Sequence, residues 1–494
     1  MKLTNWLNRY PVRSVSGSRD LAILGIADDS REVIPGTLFV ARSRQEKHIV
    51  EALHRGAVAV VTDTEMPLPV ETTRIHVADV QDALSHLAYF LHGPPDVRLI
   101  AVTGTNGKTT TTWIIRAMLQ AAGRISGLIG TIEYDLVASR FRPTHTTPGP
   151  LCLAAHFKEM RRCGATDAVM EVSSHALDQG RVRGLSFHTA IFTNLTQDHL
   201  DYHPTMTAYF NAKQRLFAQS ERTIVNIDDP WGQRIPSPDL TFGITRPEAI
   251  VRPVHLLKDA MGLAMTVATP EGLLNVSSFL SGQHNAYNIL AAIAAGIALG
   301  LPQSAIVEGV SRVVQVPGRM EQIGSAEDIL VIVDYAHTEA ALERLLETVA
   351  SFSPNRILVV FGCGGDRDRA KRPLMGQAAA RLSDWVILTS DNPRSEPPLS
   401  IIEDIRAGID AMTSAKMSGY EVIPDRRKAI THAIEKAEVG DIVVIAGKGH
   451  ETVQVVGATP LPFDDRQVAR EVLAARDCNA GRAPLVVGRD VGTG

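Results

Sequence analysis

Ala101-Val-Thr-Gly-Thr-Asn-Gly-Lys-Thr-Thr-Thr111 is the stretch around which the rest of the chain is organised. It follows an apolar run over residues 97–102 that predicts a buried strand, and it precedes residues 113–119, whose composition predicts a helix. This strand, glycine turn and helix form the context of a phosphate-binding loop, because backbone N–H groups and the helix dipole converge on the anion. We therefore expect Lys108 to reach the β- and γ-phosphates of a nucleotide and the Thr109 hydroxyl to help hold a magnesium ion.

The glycine spacing in this loop departs from the common phosphate-loop pattern. That pattern has a glycine where this chain has Val102, and here the first glycine is Gly104, which gives G-x-x-G-K-T. A glycine turn with a surface lysine is the alternative to a nucleotide site. The segment TGTNGKTTT resembles the ATP loop of the Mur ligases, which build the peptide stem of bacterial peptidoglycan. Folylpolyglutamate synthetases share GTNGK but typically continue with Gly-Ser, where this chain has Thr109-Thr110.

The resemblance to the Mur ligases implies a set of ATP contacts in this chain. Gly282-Gln-His-Asn285-Ala-Tyr-Asn288 precedes an alanine-rich helix and resembles the adenine-side element of the family, in which Asn288 is the expected contact. The implied ATP-binding residues are Gly104, Thr105, Asn106, Gly107, Lys108, Thr109, Thr110, Asn288 and Arg319.

Length and composition predict a soluble cytoplasmic protein of several domains. The chain has 494 residues, of which 45% are hydrophobic and 21% charged, and this size suggests three or four domains. The net charge of −4 gives no reason to expect nucleic acid or a membrane surface as a partner. Four cysteines without CxxC spacing indicate neither a disulfide framework nor a zinc site. The N-terminus lacks the apolar core of a signal peptide, and no run of 18 apolar residues predicts a membrane span. We also expect a monomer.

Apolar runs and their spacing predict an α/β protein with three domains. Residues 1–96 are expected to form a small N-terminal α/β domain. Residues 97–317 are expected to form a central domain with a P-loop-type, doubly wound, mostly parallel sheet, and residues 318–494 a Rossmann-like domain with a peripheral tail after residue 475. The resemblance to the Mur ligases implies that these domains bind the UDP-sugar, ATP and an amino acid, respectively. The main predicted strands are residues 36–41, 57–62, 97–102, 167–170, 189–192, 329–333, 357–361, 385–389 and 442–446, and residues 80–91 are a predicted helix.

Polar motifs follow several of the predicted strands, and they indicate a ligand crevice. Ligands of such sheets bind beyond the carboxyl ends of the strands. In the central part the motifs are Glu171-Val-Ser173-Ser174-His175 and Thr193-Asn194-Leu-Thr-Gln-Asp198-His199. In the last third they are Asp334-Tyr-Ala-His337, Gly362-Cys-Gly-Gly-Asp366-Arg367, Asp391-Asn392-Pro393-Arg394 and Gly447-Lys-Gly-His450-Glu451.

Glu171 and the Thr109 hydroxyl are the first candidates for magnesium ligands. Mg²⁺ prefers oxygen ligands and commonly relies on one or two protein groups together with phosphate oxygens and water. A lone histidine such as His199 is more often a structural residue. By the family resemblance, however, His199 corresponds to a histidine that binds a second magnesium ion.

Lys213 lies on the apolar face of a predicted helix. It follows Phe210 by three residues and precedes Leu216 by three and Phe217 by four. Desolvation lowers the pKa of a lysine and leaves a neutral amine that can react with CO₂. The resemblance implies that outcome, a lysine carbamate that orders a magnesium ion. The alternative is a lysine whose ammonium extends past the apolar face to solvent.

Two groups of residues are expected to hold a nucleotide-linked peptide. Asp29-Ser30-Arg31 with residues 35–41 resembles the family's UDP-sugar segment, so Ser30 is the implied contact; a turn rich in capping residues is the alternative. After Ala41 the family usually carries an Asp-Gly-His-like loop that helps to hold the uridine, whereas this chain has Arg42-Ser-Arg-Gln-Glu-Lys-His48. His145-Thr-Thr-Pro148 and residues 171–181 resemble the peptide-binding segments. The residues that they contribute are Thr146, Thr147, Ser173, Gln179 and Arg181.

The motif Asp391-Asn392-Pro393-Arg394 accompanies meso-diaminopimelate, rather than lysine, among the Mur ligases. Diaminopimelate carries a second carboxylate, which the planar fork of an arginine suits, and lysine lacks it. By the same resemblance Arg372, Gly447 and Glu451 complete the amino-acid contacts, with Glu451 facing the distal ammonium. His337 is expected near the reacting groups, although the Pro-Asp that usually follows DYAHT is Glu339-Ala340 here.

The resemblance covers residues 29–466 and implies an ATP-dependent amide ligase of peptidoglycan precursor synthesis. Its expected substrates are a UDP-N-acetylmuramoyl dipeptide and meso-diaminopimelate, with ATP and Mg²⁺, and Lys108, Lys213, His199 and His337 are the expected catalytic residues. Lysine or another diamino acid, or a different nucleotide-linked peptide, are alternatives within the same chemistry. Folylpolyglutamate synthesis is disfavoured by Thr109 and by the Asp-Ser-Arg segment. A P-loop phosphotransferase or a non-catalytic nucleotide-binding protein is the alternative from another class.

Overall fold

The computed structural model describes residues 1–42, 46–64, 72–259, 262–324 and 329–479. Part of the segment after Ala41 and most of the predicted peripheral tail lie outside the described residues. Among the helices in the described ranges, none combines the length and hydropathy needed to cross a bilayer. The chain divides into two compact units. The first comprises Met1–Thr103, Gly123–Ile191 and Asn211–Thr223, and the second comprises Gly104–Ala122, Phe192–Phe210 and the chain from Ile224 onward.

A five-stranded sheet forms the N-terminal part of the first unit. The strand order is Ser14–Ser16, Thr73–His76, Ala57–Thr62, Thr37–Val40 and Gly25–Ala27. The first pair is antiparallel and the other three pairs are parallel. The helices are Leu3–Leu7, Glu46–His54 and Val80–His92. The predicted strand over residues 57–62 and the predicted helix over 80–91 are confirmed, and Asp79 caps that helix by accepting from the N–H groups of Gln81 and Asp82.

The rest of the first unit carries a mostly parallel set of strands. Their order is Phe187–Phe192, Arg98–Thr103, Asp167–Glu171, Ser126–Ile129, Tyr134–Asp135 and Arg140–Phe141. Arg98–Thr103 and Ser126–Ile129 both run parallel to Asp167–Glu171, and the last two strands continue as an antiparallel edge. The helices Pro150–Arg162 and Ser174–Asp178 belong here, with the end of Met206–Gln214. The carboxyl ends of the central strands lead into the polar motifs that the sequence predicts.

The second unit begins with the helix Lys108–Ala121, against which Gln283–Ala298 and Gln303–Arg312 pack. The strand Ser220–Asn226 runs parallel to Leu240–Phe242 through residues 224–226. An antiparallel sheet follows, formed by Arg252–Asp259, Gly262–Thr269 and Gly272–Ser278. The expected alternation of strands and helices over residues 97–317 is therefore interrupted here. The physical reason is a one-sided burial pattern, with alternate residues of Gly272–Ser278 buried, which suits a hairpin rather than a parallel strand.

A six-stranded sheet organises the C-terminal part of the second unit. The strand order is Glu321–Ile323, Leu330–Asp334, Ile442–Ala446, Ile357–Phe361, Trp385–Leu388 and Gly419–Val422. The first pair is antiparallel and the others are parallel. The accompanying elements are the helices Glu339–Ala350, Lys371–Leu382, Pro398–Asp410, Arg426–Lys436 and Asp465–Asn479, and the hairpin Val453–Val456 with Thr459–Pro462. Apolar residues cover both faces of this sheet, so the α/β fold class is confirmed.

Candidate active site

The two glycines of the phosphate loop have backbone conformations that side chains rarely adopt. Gly104 has φ +147° and Gly107 has φ +85°. A Cβ at Gly104 would lie 1.9 Å from Thr193 Oγ1, and one at Gly107 would lie 2.3 Å from Asn288 Oδ1. The loop is thus packed too closely for any larger residue, and it leads into the start of a helix, where the helix dipole favours an anion.

Lys108 is the first residue of the helix Lys108–Ala121, which begins five residues before the predicted segment. Its Nζ donates to the carbonyl oxygens of Gly104 and Thr105 over 2.9 and 2.8 Å. The ammonium therefore lies over the loop whose backbone is predicted to surround the phosphates.

The segment after the strand Phe187–Phe192 supports this loop. The Asn194 carbonyl accepts from Thr105 N over 2.8 Å, and Asn194 Oδ1 accepts from Asn106 N over 3.0 Å. Thr193 Oγ1 donates to the Asn106 carbonyl over 2.6 Å. The sequence predicts Thr193-Asn194 as part of a strand-end motif but indicates no role for these two residues. The only signal was its position beside the phosphate loop in a predicted parallel sheet.

Asn288 and Arg319 both reach this loop. Asn288 lies against Gly107, and its Nδ2 donates to Asn285 Oδ1 over 3.0 Å. Arg319 Nη2 donates to Thr109 Oγ1 over 3.3 Å, and its guanidinium stands 4.4 Å from the ring centroid of Tyr335. The aromatic face restrains the guanidinium by a cation–π contact. Two predicted ATP-binding residues from distant parts of the sequence thus meet the phosphate loop.

In the second unit, Asp198 and His199 lie close enough to His337 and Lys371 for their charges to affect the pKa of Asp198. Burial raises the pKa of Asp198, but the positive fields of His199, His337 and Lys371 outweigh it, so the pKa lies below its usual value. Burial lowers the pKa of His337, with Lys371 acting in the same direction. The Nδ1 of His337 donates to the Tyr335 carbonyl over 2.8 Å, which leaves Nε2 as the acceptor of a neutral ring.

The predicted amino-acid motif is held in place by the hairpin that begins at Val453. Arg394 has φ +51°, its N–H donates to Val455 O over 3.1 Å, and its Nη1 donates to Gly365 O over 2.8 Å. Asn392 Nδ2 donates to Glu451 Oε2 over 2.9 Å. Gly447, at φ +115°, approaches so closely that a Cβ would lie 2.7 Å from Asp391 Oδ2. The structure therefore brings together Asp391, Asn392, Arg394, Gly447 and Glu451.

Arg372 is fully buried and is already engaged by carboxylates. Its Nη2 and Nη1 donate to Glu396 Oε1 and Oε2 over 2.8 and 3.0 Å, and Nη1 also donates to Asp404 over 2.9 Å. Its side chain is 0% exposed. The structure thus places Arg372 in an internal ion-pair network behind the 391–394 motif, and its direct contact with an amino acid stays a prediction.

In the first unit, four of the predicted peptide-binding residues form one hydrogen-bonded chain. Thr147 Oγ1 donates to the Glu171 carbonyl over 2.9 Å and accepts from Ser173 N over 3.0 Å. Arg181 Nη1 donates to the Thr147 carbonyl over 2.8 Å, and its Nη2 donates to Gln179 Oε1 over 2.7 Å. The arginine is thereby oriented by two partners before any ligand binds.

Glu171 fits the chemistry of a magnesium ligand. Its carboxylate accepts from Thr131 N over 2.8 Å and from Thr131 Oγ1 over 2.9 Å, and the residue is only 1% exposed. Within the described residues no cation pairs with it, and a buried carboxylate is unfavourable without one. The described part of the chain contains no group of three or more His, Cys, Asp or Glu side chains arranged around a metal.

The remaining predicted residues are placed as follows. Thr146 Oγ1 shares a hydrogen bond with Thr131 Oγ1 at 3.1 Å, next to Glu171. Ser30 is buried and donates to Glu51 Oε2 over 2.7 Å. Lys213 lies in the last turn of Met206–Gln214 and is 1% exposed, and its carbamylation stays a prediction. His199 has φ +55°, and its Nε2 stands 3.4 Å from Asp198 Oδ2.

Two family models match the chain. Residues 102–296 match the Mur ligase middle domain, and residues 318–449 match the Mur ligase glutamate ligase domain. Curated relatives named UDP-N-acetylmuramoyl-L-alanyl-D-glutamate–2,6-diaminopimelate ligase align with most of the chain. The relative from Solibacter usitatus is 45% identical, covering 91% of this chain and 93% of its own. The relative from Geobacillus thermodenitrificans is 44% identical, covering 96% of this chain and 100% of its own.

Solved structures give the same result. A structure of a UDP-N-acetylmuramoyl-L-alanyl-D-glutamate–2,6-diaminopimelate ligase matches with a TM-score of 0.67 and 35% identity, covering 96% of this chain and 99% of that one. A MurF ligase from Thermotoga maritima, solved in complex with ADP, matches with a TM-score of 0.60 and 18% identity, covering 92% of this chain and 98% of that one. The second likeness concerns the fold alone.

Proposed function

Because this chain belongs to the Mur ligase family, we propose that it joins meso-2,6-diaminopimelate to the γ-carboxylate of the D-glutamate in UDP-N-acetylmuramoyl-L-alanyl-D-glutamate. The reaction consumes ATP and makes a peptidoglycan precursor. The observation that carries this proposal is that one compact unit holds both the phosphate loop with Arg319 and the 391–394 motif with Glu451. The first is proposed to bind ATP, and the second is proposed to offer an arginine and a carboxylate to the distal carboxylate and the distal ammonium of diaminopimelate.

The proposal includes the domain organisation and the cellular setting. Residues 1–96 are proposed to bind the UDP-sugar, residues 97–317 to bind ATP and residues 318–494 to bind the amino acid. Relatives named for the diaminopimelate ligase reaction support small-molecule substrates. A cytoplasmic monomer without nucleic-acid or membrane partners is part of the same proposal.

In the first step, the substrate's γ-carboxylate attacks the γ-phosphoryl group of ATP, which gives an acyl phosphate and ADP. Lys108 is proposed to offset the charge that develops on the phosphoryl oxygens, and the loop N–H groups orient them. A magnesium ion would neutralise further charge on these oxygens. The residues proposed to hold magnesium are Thr109, Glu171, His199 and the carbamate of Lys213.

In the second step, the amine of diaminopimelate attacks the acyl carbon, and phosphate leaves from a tetrahedral intermediate. Arg394 is proposed to bind the distal carboxylate by two parallel hydrogen bonds, and Glu451 to accept from the distal ammonium. His337, which burial keeps neutral, is proposed to lie near the attacking amine. A neutral imidazole can take up a proton there as the amide bond forms.

The proposal is tested by measuring ADP release from ATP with the UDP-muramoyl dipeptide, with and without diaminopimelate. We expect ADP release only when the UDP-muramoyl dipeptide and diaminopimelate are both present. The product should have the mass of the UDP-dipeptide plus diaminopimelate minus water. Release with lysine in place of diaminopimelate would overturn the proposed amino-acid specificity. Release independent of both acceptors would indicate a plain nucleotide hydrolase and overturn the ligase proposal.

A further inference from the structure

Lys448 contacts two of the residues proposed to bind the amino acid, Asn392 and Glu451. Its Nζ donates to Glu451 Oε2 over 2.9 Å and to Asn392 Oδ1 over 3.0 Å. Its side chain is 0% exposed. A buried ammonium is costly unless it is paired and hydrogen-bonded, and both partners here belong to the proposed amino-acid site.

The contact with Lys448 determines how the amide of Asn392 is oriented. Asn392 Oδ1 accepts from Lys448 Nζ and also from Val455 N, the latter over 2.9 Å. With the oxygen facing two donors, the Nδ2 group points to Glu451 Oε2 at 2.9 Å. Lys448 therefore links the 391–394 motif to Glu451 through a closed set of three side chains.

The same contact leaves one oxygen of Glu451 for a ligand. The bonds from Lys448 and Asn392 both end on Oε2. Within the described residues, Oε1 accepts no hydrogen bond from the protein. A carboxylate can accept several hydrogen bonds, so Oε1 is available to the ammonium of an amino acid while Oε2 is held.

The backbone on either side of Lys448 is rigidly placed. Gly447 and Gly449 have φ +115° and +51°. A Cβ at Gly447 would lie 2.7 Å from Asp391 Oδ2, and one at Gly449 would lie 2.7 Å from Gly318 O. These close approaches restrict the loop, so the ammonium has little freedom to move away from its two partners.

We propose that Lys448 is a positioning residue for the amino-acid substrate: by holding Glu451 Oε2 and Asn392 Oδ1 together, it aims Glu451 Oε1 and the 391–394 motif at the incoming diamino acid. This inference rests on the proposed function. It predicts that Lys448 acts on amino-acid binding and not on ATP or the UDP-dipeptide.

The test compares the wild type with Lys448→Met, which keeps an unbranched side chain, one atom shorter, and removes the charge. Steady-state kinetics give a KM for each of the three substrates. We expect the KM for diaminopimelate to rise at least tenfold, and the KM values for ATP and the UDP-dipeptide to stay within twofold. Lys428→Met, an exposed lysine of the helix Arg426–Lys436, is the matched control and is expected to behave as the wild type.

A double-mutant cycle with Glu451→Gln tests whether Lys448 acts through Glu451. If it does, the double variant should lose little more amino-acid affinity than Glu451→Gln alone, because contacting residues are not additive. An unchanged KM for diaminopimelate, equal losses for all three substrates, or additive effects would each overturn the proposal.

Thermal unfolding of each variant shows whether it is folded. Should Lys448→Met not fold, Lys448→Gln, which keeps a hydrogen-bond donor, is measured by the same assays and judged by the same outcomes. If the wild type used a different amino acid, the proposed function would fail, whereas the Lys448 test would run unchanged on that amino acid. A wild type without ligase activity would overturn both.

Discussion

Arg319 donates from Nη2 to the hydroxyl of Thr109 over 3.3 Å, although 210 positions separate the two residues in the chain. The ring of Tyr335 lies under the same guanidinium at 4.4 Å. An arginine at the opening of the C-terminal part is thus held beside the residue that follows the phosphate-loop lysine. This contact ties the C-terminal part of the second unit to the first turn of the helix Lys108–Ala121.

Arg319→Ala is expected to lower kcat/KM for ATP by about a hundredfold, because a charge-assisted donor to developing phosphoryl charge is lost. Arg319→Lys keeps the charge but not the planar fork and is expected to lose about tenfold. Steady-state ADP release measures both. The control is Arg312→Ala, an exposed arginine paired with Glu308. Equal activity of Arg319→Ala and Arg312→Ala would contradict the role of Arg319.

Glu171→Gln is expected to raise Tm by about 2 °C in the presence of EDTA, because it removes a buried charge that has no cation among the described residues. In excess Mg²⁺ with ADP the wild type should have the higher Tm, since only its carboxylate is stabilised by the cation. Thermal unfolding under the two conditions measures the difference. A variant less stable than the wild type in EDTA would show that the carboxylate has another partner.

The Glu396–Arg372 pair is expected to make stability depend on pH. Hydrogen bonding from Arg372 lowers the pKa of Glu396 to about 2. Because the folded-state pKa lies below the unfolded value, the stabilisation is present above about pH 4.5 and is lost as the pH falls through 2. Glu396→Gln should therefore destabilise by on the order of 3 kcal/mol at pH 7, with a difference that shrinks below pH 4.5. Denaturant unfolding measures it, with the exposed Glu403→Gln as control.

His284 is also expected to make stability depend on pH, because it is a buried base that must stay neutral in the folded protein. Burial, aided by Arg344, lowers its pKa from 6.5 to about 4. Between these values the unfolded chain binds a proton that the native state does not, so stability falls as the pH falls. From pH 7.5 to 5.0 the contribution is about 2 kcal/mol.

His284→Gln should remove this part of the pH dependence of urea unfolding. The exposed His255→Gln is the control and should keep the wild-type slope. An unchanged slope in His284→Gln would mean that the pKa of the His284 ring is not lowered in the native state.

Several elements were predictable because their signal is local. The strands over residues 57–62, 357–361 and 442–446 have the predicted bounds, since a short apolar run rich in β-branched residues between polar turns favours a buried strand. The glycine turn between the strand Arg98–Thr103 and the helix Lys108–Ala121 was predictable for a similar reason. Its glycines, lysine and hydroxyl residues are contiguous, and the strand and helix beside them carry their own patterns.

Other features depended on contacts between distant segments. Arg252–Asp259, Gly262–Thr269 and Gly272–Ser278 form an antiparallel sheet that the expected alternation of strands and helices did not include. The ion pair between Arg372 and Glu396 joins residues 24 positions apart. It shows that the arginine of a sequence motif can be buried in an ion pair with the protein's own carboxylates. Sequence spacing indicates which residue types are present, but not which of them will form hydrogen bonds or ion pairs with one another.

The sequence by itself determined the α/β class, the nucleotide loop and the identity of the motifs at the strand ends, because each of these is written in adjacent residues. Only the tertiary structure decided that Lys448 links Asn392 to Glu451 and that Arg319 meets Thr109. The physical reason is that a parallel sheet brings successive strand ends to one edge through long crossovers, so the partners of a buried charge are set by packing and not by distance along the chain.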